Sequence, residues 1–276
     1  MEGTEMYGQE MPRRRMFVTG DSTVVTRSVD YLPMAGWGQT LPLFLSPAVE
    51  VVNCARAKAS SKSFYDRGRF QWILDRAAPG DYVLITFGQV DWEPEEGLHT
   101  EPFAAYQQYL RQMVHLTREA QAHPVLVLSH ERRKFDAYGN LRRFLRTYPM
   151  AMREVAQELS APLVDLYAQS LAWWEELGGD AVRELFAHLR PYENPVANLK
   201  GADDTHLRAE AAVECARFIA RALRDQGLVP ASWVHSLDRL EFTTDEMGWL
   251  DTATFDRLTK ERVARVPGAA RIGAGR

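Results

Sequence analysis

Cysteine is scarce in this chain of 276 residues: Cys54 and Cys215 are the only two. Two are too few for a disulfide framework and lack the spacing of a zinc site, so both read as reduced thiols. Long apolar runs are missing as well, since no window reaches the ~18 consecutive apolar residues of a membrane-spanning helix. The first fifteen residues are polar, and Arg13, Arg14 and Arg15 lead into no signal-type apolar region, which predicts a cytoplasmic protein. Basic charge is not in excess either. Lys and Arg total 33 against 37 Asp and Glu, a formal net charge of -4, which argues against a nucleic-acid partner. Internal repeats and low-complexity segments are also lacking. What is present, 46% hydrophobic and 25% charged residues, suits a globular protein with a packed core.

Short apolar runs recur along the chain at 16–20, 49–53, 82–88, 124–129 and 162–166, and each reads as a buried strand. Helical periodicity lies between them. Over 102–121, Tyr106, Tyr109, Leu110, Met113, Val114 and Thr117 recur at spacings of three and four, with Pro102 suited to a first turn. Over 207–226, Ala212, Cys215, Ala216, Ile219 and Leu223 align before a Gly227 stop. Strand–helix alternation of this kind predicts an α/β fold, a three-layer α/β/α sandwich with five mostly parallel strands. The expected organisation is an N-terminal extension at 1–15, one domain at 16–227 and a helical C-terminal extension at 228–276. In the last segment, Thr243 to Glu246 fits a capping box, and Phe255, Leu258 and Val263 form an apolar stripe available for packing or homo-oligomer formation.

Open parallel sheets gather their reactive groups beyond the carboxyl ends of the strands. The first strand runs into Gly20-Asp21-Ser22-Thr23, where a serine on a Gly-led turn opening a helix would present its hydroxyl at the sheet edge. The same serine could equally be an N-cap. A nucleophilic serine needs a base oriented by a carboxylate. Of seven histidines, His206 stands out because Asp203 precedes it by three residues in a loop entering the last long helix. His130, just after the fourth strand, is the rival base.

These segments resemble the SGNH (GDSL) hydrolases. The resemblance rests on Gly20 to Thr23, Asn53, Ser60 to Phe64, Gly68 to Phe70, Phe87-Gly88 and Asp203 to His206. It extends through 81–85, 132–135, 148–154 and 162–166 and so covers about residues 16–226. Within that family the chain is similar in particular to the rhamnogalacturonan acetylesterase-like carbohydrate esterases. The resemblance implies a flavodoxin-like sheet, removal of O-acetyl groups from pectic sugars without a metal or other cofactor, and Ser22, His206 and Asp203 as nucleophile, base and orienting acid.

Two positions depart from the family pattern, both in its oxyanion-binding region. A glycine is replaced by Lys58, and the block G-H-N-D, whose Asn donates to the oxyanion, reads Gly88-Gln89-Val90-Asp91. Valine has no donor, and losing one such donor costs about 2.7–4 kcal/mol in other serine hydrolases. Lys58 keeps a backbone N–H, although a positive φ would strain it. The Gln89 amide could fill the gap only by leaving the strand's alternation. Trp92 and the basic Arg142 and Arg143 are candidates for binding an oligosaccharide ester, the arginines through an acidic sugar such as galacturonate. These departures also leave open a degenerate ligand-binding protein, or an acyl transferase or esterase acting on a non-sugar substrate.

Overall fold

The computed structural model describes residues 13–190, 193–194 and 202–260. Its strands are β1 (Arg14–Val18), β2 (Val49–Asn53), β3 (Tyr82–Ile85), β4 (His123–Val127) and β5 (Leu163–Val164). All pair in parallel, in the order β2-β1-β3-β4-β5. This is the flavodoxin-like order, with its switch point between β1 and β3. The first and third strands stop short of the apolar runs that mark them. Beyond Val18, Thr19 Oγ1 donates to Leu84 O and accepts from Thr86 N, and Gly20 (φ 134) and Gly88 (φ 121) then turn the chain out of the ladder.

Helices α1 (Trp37–Thr40), α2 (Ser61–Asp66), α3 (Arg69–Leu74), α4 (Gln107–Glu119), α5 (Tyr148–Glu158), α6 (Leu166–Arg183), α7 (Ala209–Asp225) and α8 (Thr252–Lys260) follow from the same alternation of apolar and amphipathic segments. Strand pleating sorts the core into two layers. Met16 and Val18 of β1 pack with Trp37 of α1, Trp174 of α6 and the Ala212, Cys215, Ala216, Ile219 and Leu223 face of α7. Phe17, between them in sequence, belongs to the opposite layer with Phe64 of α2, Phe70 of α3 and Leu110, Met113 and Val114 of α4. The helix predicted over 102–121 is not uniform. Pro102–Tyr106 forms a π-helical turn before α4 begins, and the buried Tyr106 donates its hydroxyl hydrogen to Phe87 O at 3.0 Å.

Beyond Gly227, Val229, Trp233, Leu237 and Met247 enter the layer that holds Met16 and α7. Within the expected helical extension, the described residues form two 3-10 turns, Ala231–Trp233 and Asp245–Met247, ahead of the α-helix α8. The capping box is one-sided: Glu246 accepts from Thr243 N, but Thr243 Oγ1 donates to Glu246 instead of capping its N–H. Phe255 of the expected stripe packs against Tyr31 with ring centroids 5.2 Å apart, while Val263 lies outside the described residues. No helix among the described residues is long and apolar enough to cross a membrane.

Candidate active site

The segment after β1 turns on itself around a buried carboxylate. Asp21 Oδ1 accepts from Thr23 N and Thr23 Oγ1, both at 2.8 Å, and Val24 N and Val25 N donate to Asp21 O. Burial raises the Asp21 pKa against these hydrogen bonds, which lower it. The turn opens no helix, contrary to expectation; the next helical residues are Val29–Tyr31. A buried arginine takes the place of helical support. Arg27 Nη2 donates to Ser22 O at 2.8 Å while its guanidinium packs over Tyr31. Burial lowers its pKa to about 10, with Tyr31, Asp203 and Asp21 opposing, so it stays charged.

Ser22 and His206, 184 residues apart, meet at 2.8 Å between Oγ and Nε2, and His206 Nδ1 lies 2.7 Å from Asp203 Oδ2. The other Asp203 oxygen accepts the backbone N–H groups of Thr205 and His206, each at 2.9 Å. Burial alone would raise the Asp203 carboxyl, but the hydrogen bond and charge of His206 and these two N–H groups outweigh it and hold it at about 2. Asp203 is therefore ionised at neutral pH, fixing a proton on His206 Nδ1 and leaving Nε2 to accept from Ser22.

The loop carrying this pair is clamped from three sides. His130 donates through Nε2 to Thr205 O at 3.1 Å, Arg133 N donates to Asp204 O, and Asp204 gathers His188, Arg133 and Lys134 on its carboxylate. His130 is fully buried, and burial pushes its pKa down to about 4. Its place is behind the His206 loop, and its ring makes no hydrogen bond to Ser22.

Around the expected oxyanion region, Lys58 has φ 59, the left-handed conformation that its glycine counterpart would adopt freely. Its side chain is exposed, and Arg56 N ties this loop to Gly20 O. Val90 is buried. Gln89 is committed elsewhere: Nε2 donates to His130 O at 2.7 Å, and Oε1 accepts from Arg132 Nε at 2.9 Å. Asp91 anchors the block by accepting from Gly88 N, Thr100 Oγ1 and both the N–H and hydroxyl of Ser61. Burial raises Asp91 to about 6, partly countered by these bonds. Among the described residues, no group of three His, Cys, Asp or Glu side chains is arranged to hold a metal ion.

The GDSL-like Lipase/Acylhydrolase family model matches residues 18–212, spanning this whole constellation. The chain belongs to that family. By class it is a carboxylic ester hydrolase. It is 38% identical over 214 residues to the rhamnogalacturonan acetylesterase RhgT of Bacillus subtilis (strain 168), covering 78% of this chain and 91% of that one. It is 34% identical to the probable rhamnogalacturonan acetylesterase YesY of the same organism, covering 77% and 94%. The crystal structure of YxiM from Bacillus subtilis superposes with a TM-score of 0.68 at 25% identity, covering 79% of this chain and 58% of that one. The acetylxylan esterase Axe2 of Geobacillus stearothermophilus shares the fold at 18% identity, with a TM-score of 0.54 over 82% of this chain and 100% of that one.

Within this GDSL-family site, sequence reasoning missed the supports. Arg27 carries no local motif, because its partner Ser22 O is a backbone atom. Arg132 lies in the 132–135 stretch of the family resemblance but carries no role there, and its guanidinium packs over Trp92 and Phe144. Arg142 pairs with Asp136 at 3.1 Å and Arg143 is exposed. Neither hydrogen-bonds to Ser22, His206 or Asp203. Trp92 is 37% exposed, with its indole N–H donated to Gln89 O.

Proposed function

We propose that this protein is a serine esterase removing O-acetyl groups from carbohydrate, specifically from pectin (rhamnogalacturonan)-derived oligosaccharides. The observation that carries this reading is the relay Ser22 Oγ, His206 Nε2, His206 Nδ1, Asp203 Oδ2, with separations of 2.8 and 2.7 Å. The names of RhgT and YesY support the substrate class. Ser22 Oγ attacks the acetyl carbonyl as its proton passes to His206 Nε2. The imidazolium, stabilised by Asp203, then protonates the departing sugar oxygen. Water, deprotonated by the same nitrogen, attacks the acetyl-Ser22 ester and releases acetate, regenerating the serine.

The developing oxyanion is met by the Ser22 and Lys58 N–H groups, neither of which has a hydrogen-bond acceptor among the described residues. Val90 supplies none, and this favours a slow enzyme or, as a second reading, a ligand-binding relative with little turnover. We place the catalytic unit at 16–227 and regard 228–276 as an extension whose described part, 228–260, braces it. A cytoplasmic location belongs to the same proposal and rests on the unpaired thiols of Cys54 and Cys215; cell fractionation tests it. Acetate release from acetylated oligosaccharides and aryl acetates, with Ser22→Ala as control, tests the function. Serine-dependent release from sugars supports deacetylation, and tight sugar binding without release supports the second reading.

A further inference from the structure

Besides Arg27, a second guanidinium, that of Arg132, is held in place near Asp21 and Asp203. Its Nε and Nη2 donate to Gln89 Oε1 and Gln89 O at 2.9 and 2.7 Å. Gln89 is itself anchored through Nε2 on His130 O. The Arg132 plane lies over the Phe144 ring at 4.1 Å and near Trp92 at 5.4 Å, and these two rings meet edge to face at 4.8 Å. One edge of the guanidinium is thus occupied and one face is covered. Nη1 has no protein partner among the described residues and is not among the sealed, unsatisfied buried atoms.

The cluster joins the loops after β3 and β4, at the carboxyl edge of the sheet where Ser22 also lies. Arg132 is close enough to Asp21 and Asp203 for their charges to act on it. Glu93 and Glu131 face it too, but Glu131 is fully buried and its carboxyl accepts the backbone N–H groups of Arg132 and Leu145. A pre-oriented guanidinium with a free N–H edge suits a carboxylate, and its planar donor array favours that group over a hydroxyl. The half-exposed indole beside it suits the apolar face of a sugar ring.

We propose that Arg132, flanked by Trp92 and Phe144, forms a subsite for the carboxylate of a uronic acid unit in the ester-bearing oligosaccharide, and that Arg132, not Arg142 or Arg143, reads that charge. The proposal rests on the carbohydrate-esterase reading above, but binding tests it separately from turnover. The probe is a deacetylated galacturonate-containing oligosaccharide, paired with its carboxyl-reduced counterpart, titrated calorimetrically into full-length Ser22→Ala protein. The acidic form should bind at least about tenfold more tightly at low salt, in keeping with a charge-assisted hydrogen bond. Adding Arg132→Gln should collapse that ratio towards one. In the active protein, Arg132→Gln should reduce kcat/KM through KM, and at least about tenfold more for the acetylated acidic oligosaccharide than for its reduced form.

Equal affinity for the two forms in Ser22→Ala overturns the subsite, as does a ratio that survives Arg132→Gln. A kcat loss shared equally by acidic and reduced substrates also overturns it and assigns Arg132 to the reaction. Should Arg132→Gln fail to fold, Arg132→Lys, which keeps the charge but not the fork, is measured in the same way. An acid preference without hydrolysis of any acetyl ester would sink the esterase reading and leave the subsite standing.

Discussion

Asp203 illustrates how one side chain sets the chemistry of another. With its carboxylate held ionised and bonded to His206 Nδ1, Asp203→Asn would present an amide that favours the wrong imidazole tautomer. The expected result is a kcat loss of roughly 10³–10⁴ with the fold retained, measured on an acetyl ester beside a thermal melt. Val90 makes the opposite test. Val90→Asn restores a donor at the family's position and should raise kcat by on the order of tenfold or more; an unchanged kcat would mean that the missing donor has already been replaced. Both positions were legible in the sequence because a motif fixes each. The roles of Arg27 and Arg132 were not, since their bonds go to backbone carbonyls and, for Arg132, to a glutamine more than forty residues away, and such links leave no local pattern.

Elements are legible in the sequence where burial alone shapes them. β3 is buried along its length, and its apolar run announces that. Element ends were harder, because Gly20, Gly88 and the hydroxyl of Thr19 decide where ladder pairing stops. The π turn before α4 is not legible in the sequence, because five residues are too few to show a period of their own. The loop after β4 depends on Glu131, whose pKa burial raises to about 7 against hydrogen bonds from Arg132, Leu145, Phe144 and Tyr167. An acid whose folded pKa lies above its unfolded value holds more protons in the native state. Its contribution is therefore full below the unfolded value near 4.5 and declines as pH rises towards 7. Glu131→Gln, which keeps an acceptor for Arg132 N and Leu145 N, should flatten this decline in a series of melts across that range. An unchanged slope would mean that Glu131 is not its source.

At the scale of the molecule, the C-terminal segment reaches further towards the site than its sequence suggests. Leu250 exchanges backbone hydrogen bonds with Arg27 and Val29, Thr252 donates to Asp30 at 2.6 Å, and Phe255 packs against Tyr31. Tyr31 lies under Arg27, which holds Ser22 O. Deleting 249–276 spares the buried Trp233, Leu237 and Met247. The truncated protein should melt at a lower temperature and turn over more slowly, but still above the Ser22→Ala level. A melt and a kcat equal to those of the full chain would show that the brace carries no load. Sequence alone could place an apolar stripe in this segment, but only tertiary packing shows that its partner, Tyr31, lies under the arginine that holds Ser22 O.

The proposed mechanism passes through an acetylated Ser22. Rapid acid quenching during turnover of a simple acetyl ester, followed by peptide mass mapping, measures it directly. The peptide containing Ser22 should carry one acetyl group transiently, with none in Ser22→Ala and no acetate released by that variant above background. Acetylation at another residue, or hydrolysis undiminished in Ser22→Ala, would contradict the account.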